Sequence, residues 1–111
     1  MRDDSQRLLD IAEAIERINK YADRGRDAFE NDELIQNWIL HHLQVLGEAA
    51  AKISSEFQEA NQIIPWSKII GMRNILVHDY FGIDTEIVWI VVEKELPGLE
   101  ASVKTLIEEN A

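Results

Sequence analysis

The chain has 111 residues, 46% of them apolar, no cysteine, and a formal net charge of −10. That length suits one helical domain, 1–111, able to bury a core without staples, and the missing cysteines exclude a disulfide framework, a thiolate metal centre and a cysteine nucleophile. The acidic balance excludes a smooth basic surface for nucleic acid, since nonspecific phosphate affinity comes from Lys and Arg; it leaves a local positive cleft on an acidic body, acidic faces that meet a basic partner, or acidity that merely keeps the protein soluble.

Leu8, Ile11, Ile15, Ile18 and Ala22 recur at helical spacing and predict a first helix from about Asp4 to Ala22, stopped by Arg24-Gly25. Asn31 or Asp32 can cap a long second helix in which Ile35, Trp38, Ile39, His42, Val45, Leu46, Ala49 and Ile53 form the inward stripe. Ser54 or Ser55 can cap a short helical turn reaching Ala60, and Pro65 suits the first turn of a helix running to about Tyr80 and ending near Gly82. The segment Glu86–Leu96 is rich in β-branched residues, yet Ile87, Val88, Val91, Val92 and Leu96 keep helical spacing. No second candidate strand exists to pair with it, so it reads as helix, with Asp84 or Thr85 as cap. Pro97 opens the last helix, with Leu99, Val103, Leu106 and Ile107 facing inward. The expected fold is all-α, an up-and-down bundle of about five helices that dimerises. No apolar run approaches a membrane span, and Met1-Arg2-Asp3-Asp4 lacks a secretion-signal core, so the expected location is the cytoplasm, without membrane contact.

Within the fourth of these segments the periodicity places a charge where a core residue belongs. At about 100° per residue, Trp66, Ile69, Ile70, Leu76, Val77 and Tyr80 fall within roughly 60° of Arg73. A guanidinium stays charged and is costly to bury unpaired, so this stripe must border a buried anion or a wet cleft. A second stripe of small and polar residues, Ser67, Gly71, Asn74 and His78, lies about 100–160° away and suits close approach of another backbone. Asn74 and His78 are i,i+4 neighbours that can meet and orient the imidazole. In a straight helix His78 points about 140° from Arg73, so the two share a site only if the helix ends near His78, the Arg side chain curls round, or a dimer brings two copies together.

The string Arg73-Asn74-Ile75-Leu76-Val77-His78-Asp79-Tyr80 resembles the HEPN ribonuclease motif: an Arg, a polar residue directly after it, then a His four to six positions from that Arg. Its extension to a Tyr two residues past the His resembles the HepT-like toxins of prokaryotic toxin–antitoxin pairs. So do the flanks Gly47–Ser54, Pro65–Asn74 and Glu95–Val103, and the likeness covers most of the chain.

The resemblance implies a metal-independent endoribonuclease, the toxin of a type VII-like pair, with Arg73 and His78 catalytic, Asn74 supporting RNA contact, and no cofactor. A ribose 2′-hydroxyl attacks its own 3′-phosphate; His78 can exchange the proton, and Arg73 can grip the phosphate bidentately. It further implies that Tyr80 is where a minimal nucleotidyltransferase antitoxin adds AMP and silences the enzyme. Two alternatives stand beside it: a non-catalytic HEPN-like subunit binding nucleotide or RNA for a nucleotidyltransferase, and a structural dimer in which Arg73 and His78 join a buried polar network. A core Tyr with a satisfied hydroxyl is the plain reading of Tyr80.

His41 and His42 point about 100° apart and do not readily chelate one ion; His42 falls on the apolar stripe, as a core or interface histidine would. Glu48 could pair with Arg73 or a histidine. Asp3-Asp4, Glu30 with Asp32 and Glu33, Glu93 with Glu95, and Glu108-Glu109 read as solvated helix faces without metal-ligand context. Arg17, Lys20, Arg24 and Arg26 form the densest basic patch, an ordinary solvated helix end in its plainest reading.

Overall fold

A computed structural model describes residues 3–110; Met1, Arg2 and Ala111 lie outside the described residues, and with them half of the N-terminal tetrapeptide read above. Helix α1 spans Asp4–Ala22, capped by Asp3, whose carboxylate accepts from the Gln6 amide. Gly25, at φ +94°, takes the left-handed turn that a side chain would resist, and a helix the periodicity did not predict follows at once: α2, Arg26–Asn31. Six residues carry too few turns for a periodic signal. Its single buried side chain, Phe29, packs 5.4 Å from the Trp89 ring.

Asp32 caps α3, Glu33–Ala51, by accepting from the amides of Leu34 and Ile35. Ser54 caps α4, Ser55–Ala60, and Asp4 holds that corner, accepting from the Ser54 amide at 2.8 Å and hydroxyl at 2.6 Å. Helix α5 spans Trp66–His78, shorter than predicted; Tyr80–Gly82 form a separate 3₁₀ turn. Asp79 leaves helical geometry at φ −142° and ψ 50°, and its carboxylate lies where a side chain at Gly82 would stand, so any larger residue there would have to push that carboxylate aside.

Asp84 caps α6, Thr85–Ile90, which continues through a π turn, Val91–Glu95, into α7, Leu96–Glu109. Pro97 stands in the first turn of the last helix, as predicted, but that helix follows on from α6 without a break. The Leu96 amide bonds to the Val91 carbonyl five residues back, and this widened turn accommodates a proline whose ring would clash in a tight α register.

Among the described residues there is no strand. Asp4 meets Ser54 and the Arg17 carbonyl accepts from Trp38, so α1 and α3 run antiparallel; Arg73 meets Glu48 and Tyr80 meets Asn37, so α5 is antiparallel to α3. Helix α7 closes against α1, where Asn19 donates to Glu100. The core between them holds Leu8, Ile11, Ile15 and Ile18 of α1, Ile39 of α3, Ile64, Val88 and Val103, each contributing roughly 1.5–3 kcal/mol by burial. Two stripe residues predicted to face inward, Val45 and Ile87, are exposed instead. Val45 lies on the α3 edge left open between α1 and α5, and in α6 it is Val88 and Trp89 that turn to the core. No helix among the described residues is long and apolar enough to cross a membrane.

Candidate active site

Helix α5 packs tightly against α3 at Gly47. A Cβ placed on Gly47 would collide with Arg73 Cβ, and would lie 2.9 Å from Arg73 Cγ and 3.3 Å from the Ile69 carbonyl oxygen. The close approach that the sequence pattern attaches to Gly71 is made, within the chain, at Gly47. Gly71 has open space where its side chain would be.

Seated there, Arg73 is only 23% exposed, and its Nη1 donates to Glu48 Oε1 at 3.2 Å. Its Nε is buried without a partner. The mid-stripe charge thus has the anion its burial demands, on the neighbouring helix.

Further along, α5 stops at His78, as the first of the three conditions requires, yet among the described residues no hydrogen bond joins His78 to Arg73, which turns to Glu48 on α3. His78 and Asn74 are exposed, and neither side chain has a hydrogen-bond partner among the described residues. The expected bond between Asn74 and His78 is therefore not made: both are exposed, and among the described residues nothing pairs with either. Tyr80 is partly exposed, and its hydroxyl donates to Asn37 Oδ1 at 2.7 Å. It is a tethered surface tyrosine rather than a core one.

Asn37, His41, Gln44 and Glu48 recur at i, i+4, i+7 and i+11, one polar stripe along α3. Its two ends hold Tyr80 and Arg73. Neither Asn37 nor the role of Gly47 was singled out from the sequence, although a polar stripe on so apolar a helix was a readable signal. On the α1 side of that stripe His42 is buried, its ring tilted at 59° against Trp38 with centroids 4.6 Å apart, and its Nδ1 lacks a partner. Among the described residues no three His, Asp or Glu side chains gather as a metal site would require. In the basic patch, Arg17 pairs with Glu13, Arg26 pairs with Glu30, and Lys20 and Arg24 lie over the Tyr21 ring.

Residues 11–106 match the family described as Ribonuclease HepT-like. The chain belongs to the HepT-like ribonuclease family. Among curated relatives, the "Probable ribonuclease HepT" of Thermococcus cleftensis is 34% identical over 102 residues, 89% of this chain and 91% of that protein. "Putative RNase MJ1380" of Methanocaldococcus jannaschii is 33% identical over 104 residues, covering 93% of this chain and 95% of its own. The same organism's "Gamma-glutamylcyclotransferase and putative RNase MJ0434" is 35% identical over 98% of this chain, which spans only 50% of that relative's length. No solved structure matches the chain. In this HepT-like bundle the motif residues are thus carried by α5 and the turn after it, against α3.

Burial, with His41 and Arg17 adding to it and Glu13 opposing, holds the His42 imidazole below its ordinary range. As pH falls through about 6.5 the unfolded chain takes up a proton that the folded chain refuses, so stability should be lost and then level off below the folded-state pKa. Melting of the wild type between about pH 7.5 and about pH 5.5 should therefore fall more steeply than that of His42→Gln. Parallel melting curves would show that His42 takes up its proton equally in both states.

Proposed function

We propose that this chain is a metal-independent endoribonuclease and the toxin half of a type VII-like toxin–antitoxin pair. The observation that carries the reading is the seating of Arg73 against Glu48 five residues before an exposed, unpartnered His78 at a helix terminus, in a chain of the HepT-like family. In the proposed reaction the ribose 2′-oxygen bonds to phosphorus as its proton passes to a base, and the P–O5′ bond breaks as the leaving 5′-oxygen gains a proton. The products are a 2′,3′-cyclic phosphate and a 5′-hydroxyl. His78 exchanges these protons, and Arg73 supports the charge that develops on the non-bridging oxygens. Asn74, beside them on α5 and exposed, contacts the RNA. Incubated with a 5′-labelled RNA, the protein should give discrete fragments; an RNA left intact over hours would refute the ribonuclease.

The Arg73–Glu48 pair also suits the structural-network alternative. Glu48→Gln separates the two, because losing a partly exposed pair costs only about 0–1 kcal/mol. A change in cleavage with little change in melting favours the enzyme.

We further propose a homodimer. The Ser67, Gly71, Asn74, His78 strip has open space at Gly71 and is flanked by exposed Ile75, while Phe81, beyond the helix end, is 100% exposed. Sedimentation should give twice the chain mass, and Gly71→Trp should weaken association and cleavage together. A monomer with full activity would contradict this.

Regulation centres on Tyr80, whose hydroxyl is tethered by one hydrogen bond at the surface and is thus open to a partner minimal nucleotidyltransferase. AMP added there brings phosphate charge and bulk towards the polar stripe that Arg73 shares, obstructing RNA. With that partner and ATP, the wild type should gain mass in AMP units at Tyr80 and lose cleavage, while Tyr80→Phe should stay unmodified and active. Modification elsewhere with Tyr80 untouched would end this part of the proposal.

A further inference from the structure

Two protons move in the cleavage proposed above, one off the 2′-oxygen as it bonds to phosphorus and one onto the 5′-oxygen as it leaves. The two oxygens stand roughly in line, on opposite sides of the phosphorus. His78 alone would have to reach both, so a second proton-transfer group on another element relieves the geometry. The other wall of the Arg73 seat is α3, which meets it at Gly47 and Glu48 and carries the polar stripe.

Three of the four side chains on that stripe are committed or unsuited. Glu48 accepts from Arg73 Nη1, and Asn37 accepts from the Tyr80 hydroxyl. Gln44 carries an amide, which donates and accepts hydrogen bonds without titrating near neutral pH. His41 remains, and an imidazole is the side chain suited to giving and taking protons there. It is exposed and has no hydrogen-bond or ion-pair partner among the described residues, so nothing in the chain occupies its ring nitrogens. The buried His42 ring lies edge-on to it, with centroids 4.9 Å apart.

His41 also stands at a workable distance from the guanidinium. It precedes Glu48 by seven residues, which puts the two about 10 Å apart along the α3 axis and only about 20° apart around it. A phosphodiester gripped by Arg73 fits within that interval, with one bridging oxygen towards His41.

We infer that His41 is the second proton-transfer residue of the cleavage, giving its proton to the leaving 5′-oxygen while His78 takes the proton of the attacking 2′-hydroxyl. The inference rests on the ribonuclease reading. As the O2′–P bond forms, the P–O5′ electron pair goes to the 5′-oxygen, which takes the proton from the His41 imidazolium. His78 ends protonated and His41 neutral, and exchange with water resets both.

The test compares an RNA carrying the bond that the wild type cuts with the same RNA bearing sulfur in place of the bridging 5′-oxygen. A thiolate leaves without a proton, so the sulfur RNA bypasses the group that protonates the leaving atom and still needs the one that deprotonates the 2′-hydroxyl. His41→Gln and His41→Ala, changes at an exposed position, should melt with the wild type. In single turnovers each should cut the oxygen RNA about 10²-fold more slowly than the wild type, and the sulfur RNA within about threefold of it. His78→Gln should be slow on both. A His41 variant that cuts the oxygen RNA at the wild-type rate would overturn the inference and leave the ribonuclease intact. Equal slowing on both RNAs would make His41 a positioning residue and overturn it as well, as would sulfur rescue of His78→Gln in place of the His41 variants. A wild type that cuts neither RNA would refute the ribonuclease, and the inference with it.

Discussion

Gly47→Ala should lower the melting temperature by roughly 5–15 °C and depress RNA cleavage at least about tenfold. The added methyl would run into Arg73 Cβ near the backbone of α5, and the Ile69 carbonyl lies 3.3 Å away, so no flexible side-chain end can simply swing aside. The helices must separate, and overpacking of this kind costs about 1–3 kcal/mol. Displacement of α5 also carries Arg73 away from Glu48, so stability and activity should fall together. Gly98→Ala is the control: nothing lies within 4 Å of its added Cβ, and in a helix alanine is favoured by about 0.5–1 kcal/mol. Thermal melts of both variants check this. A Gly47→Ala protein that melts with the wild type would show that α3 and α5 are not packed as described.

Arg73→Ala and His78→Ala should each reduce cleavage by about 10²–10⁴ while affecting stability differently. His78 is exposed and makes no side-chain bond, so its loss should leave the melt within about 0.5 kcal/mol of wild type. Arg73 is only 23% exposed and its stem packs against α3 at Gly47, so Arg73→Ala loses that packing as well as the pair and should also cost measurable stability. Arg73→Lys keeps the charge but loses the planar fork, and should recover stability better than cleavage. Single-turnover rates on one labelled RNA, read beside melting curves, separate these outcomes; full cleavage by His78→Ala would remove the imidazole from the mechanism.

Much of this arrangement was legible before any coordinates. The helical spacing of Leu8 to Ile18 marked α1, Asp32 and Ser54 each stood as one of two candidate caps, and Arg73 amid apolar neighbours called for an anion or a wet cleft, of which Glu48 supplies the anion. What escaped the sequence was decided by contacts between segments. Helix α2 is too short to show a period. The π turn at Val91–Glu95 is a change of hydrogen-bond register around Pro97, which no residue pattern spells out. Gly47 and Gly71 look alike as letters, and only the meeting of α3 with α5 shows which one a neighbouring backbone crowds. Tyr80 belonged by angle to the Arg73 stripe of a continuous helix, but that helix ends two residues earlier and hands Tyr80 to Asn37 at the surface.

The central claim is that this chain cuts RNA through side chains of α5, with an internal 2′-hydroxyl as nucleophile. Mass spectrometry of the ends formed when the purified protein meets a defined RNA in excess EDTA tests it most directly. The account predicts 2′,3′-cyclic phosphate and 5′-hydroxyl termini, undiminished by the chelator and absent with Arg73→Ala. Cleavage abolished by EDTA, or fragments ending in 3′-hydroxyl and 5′-phosphate, would contradict it, since both belong to attack by a metal-activated water.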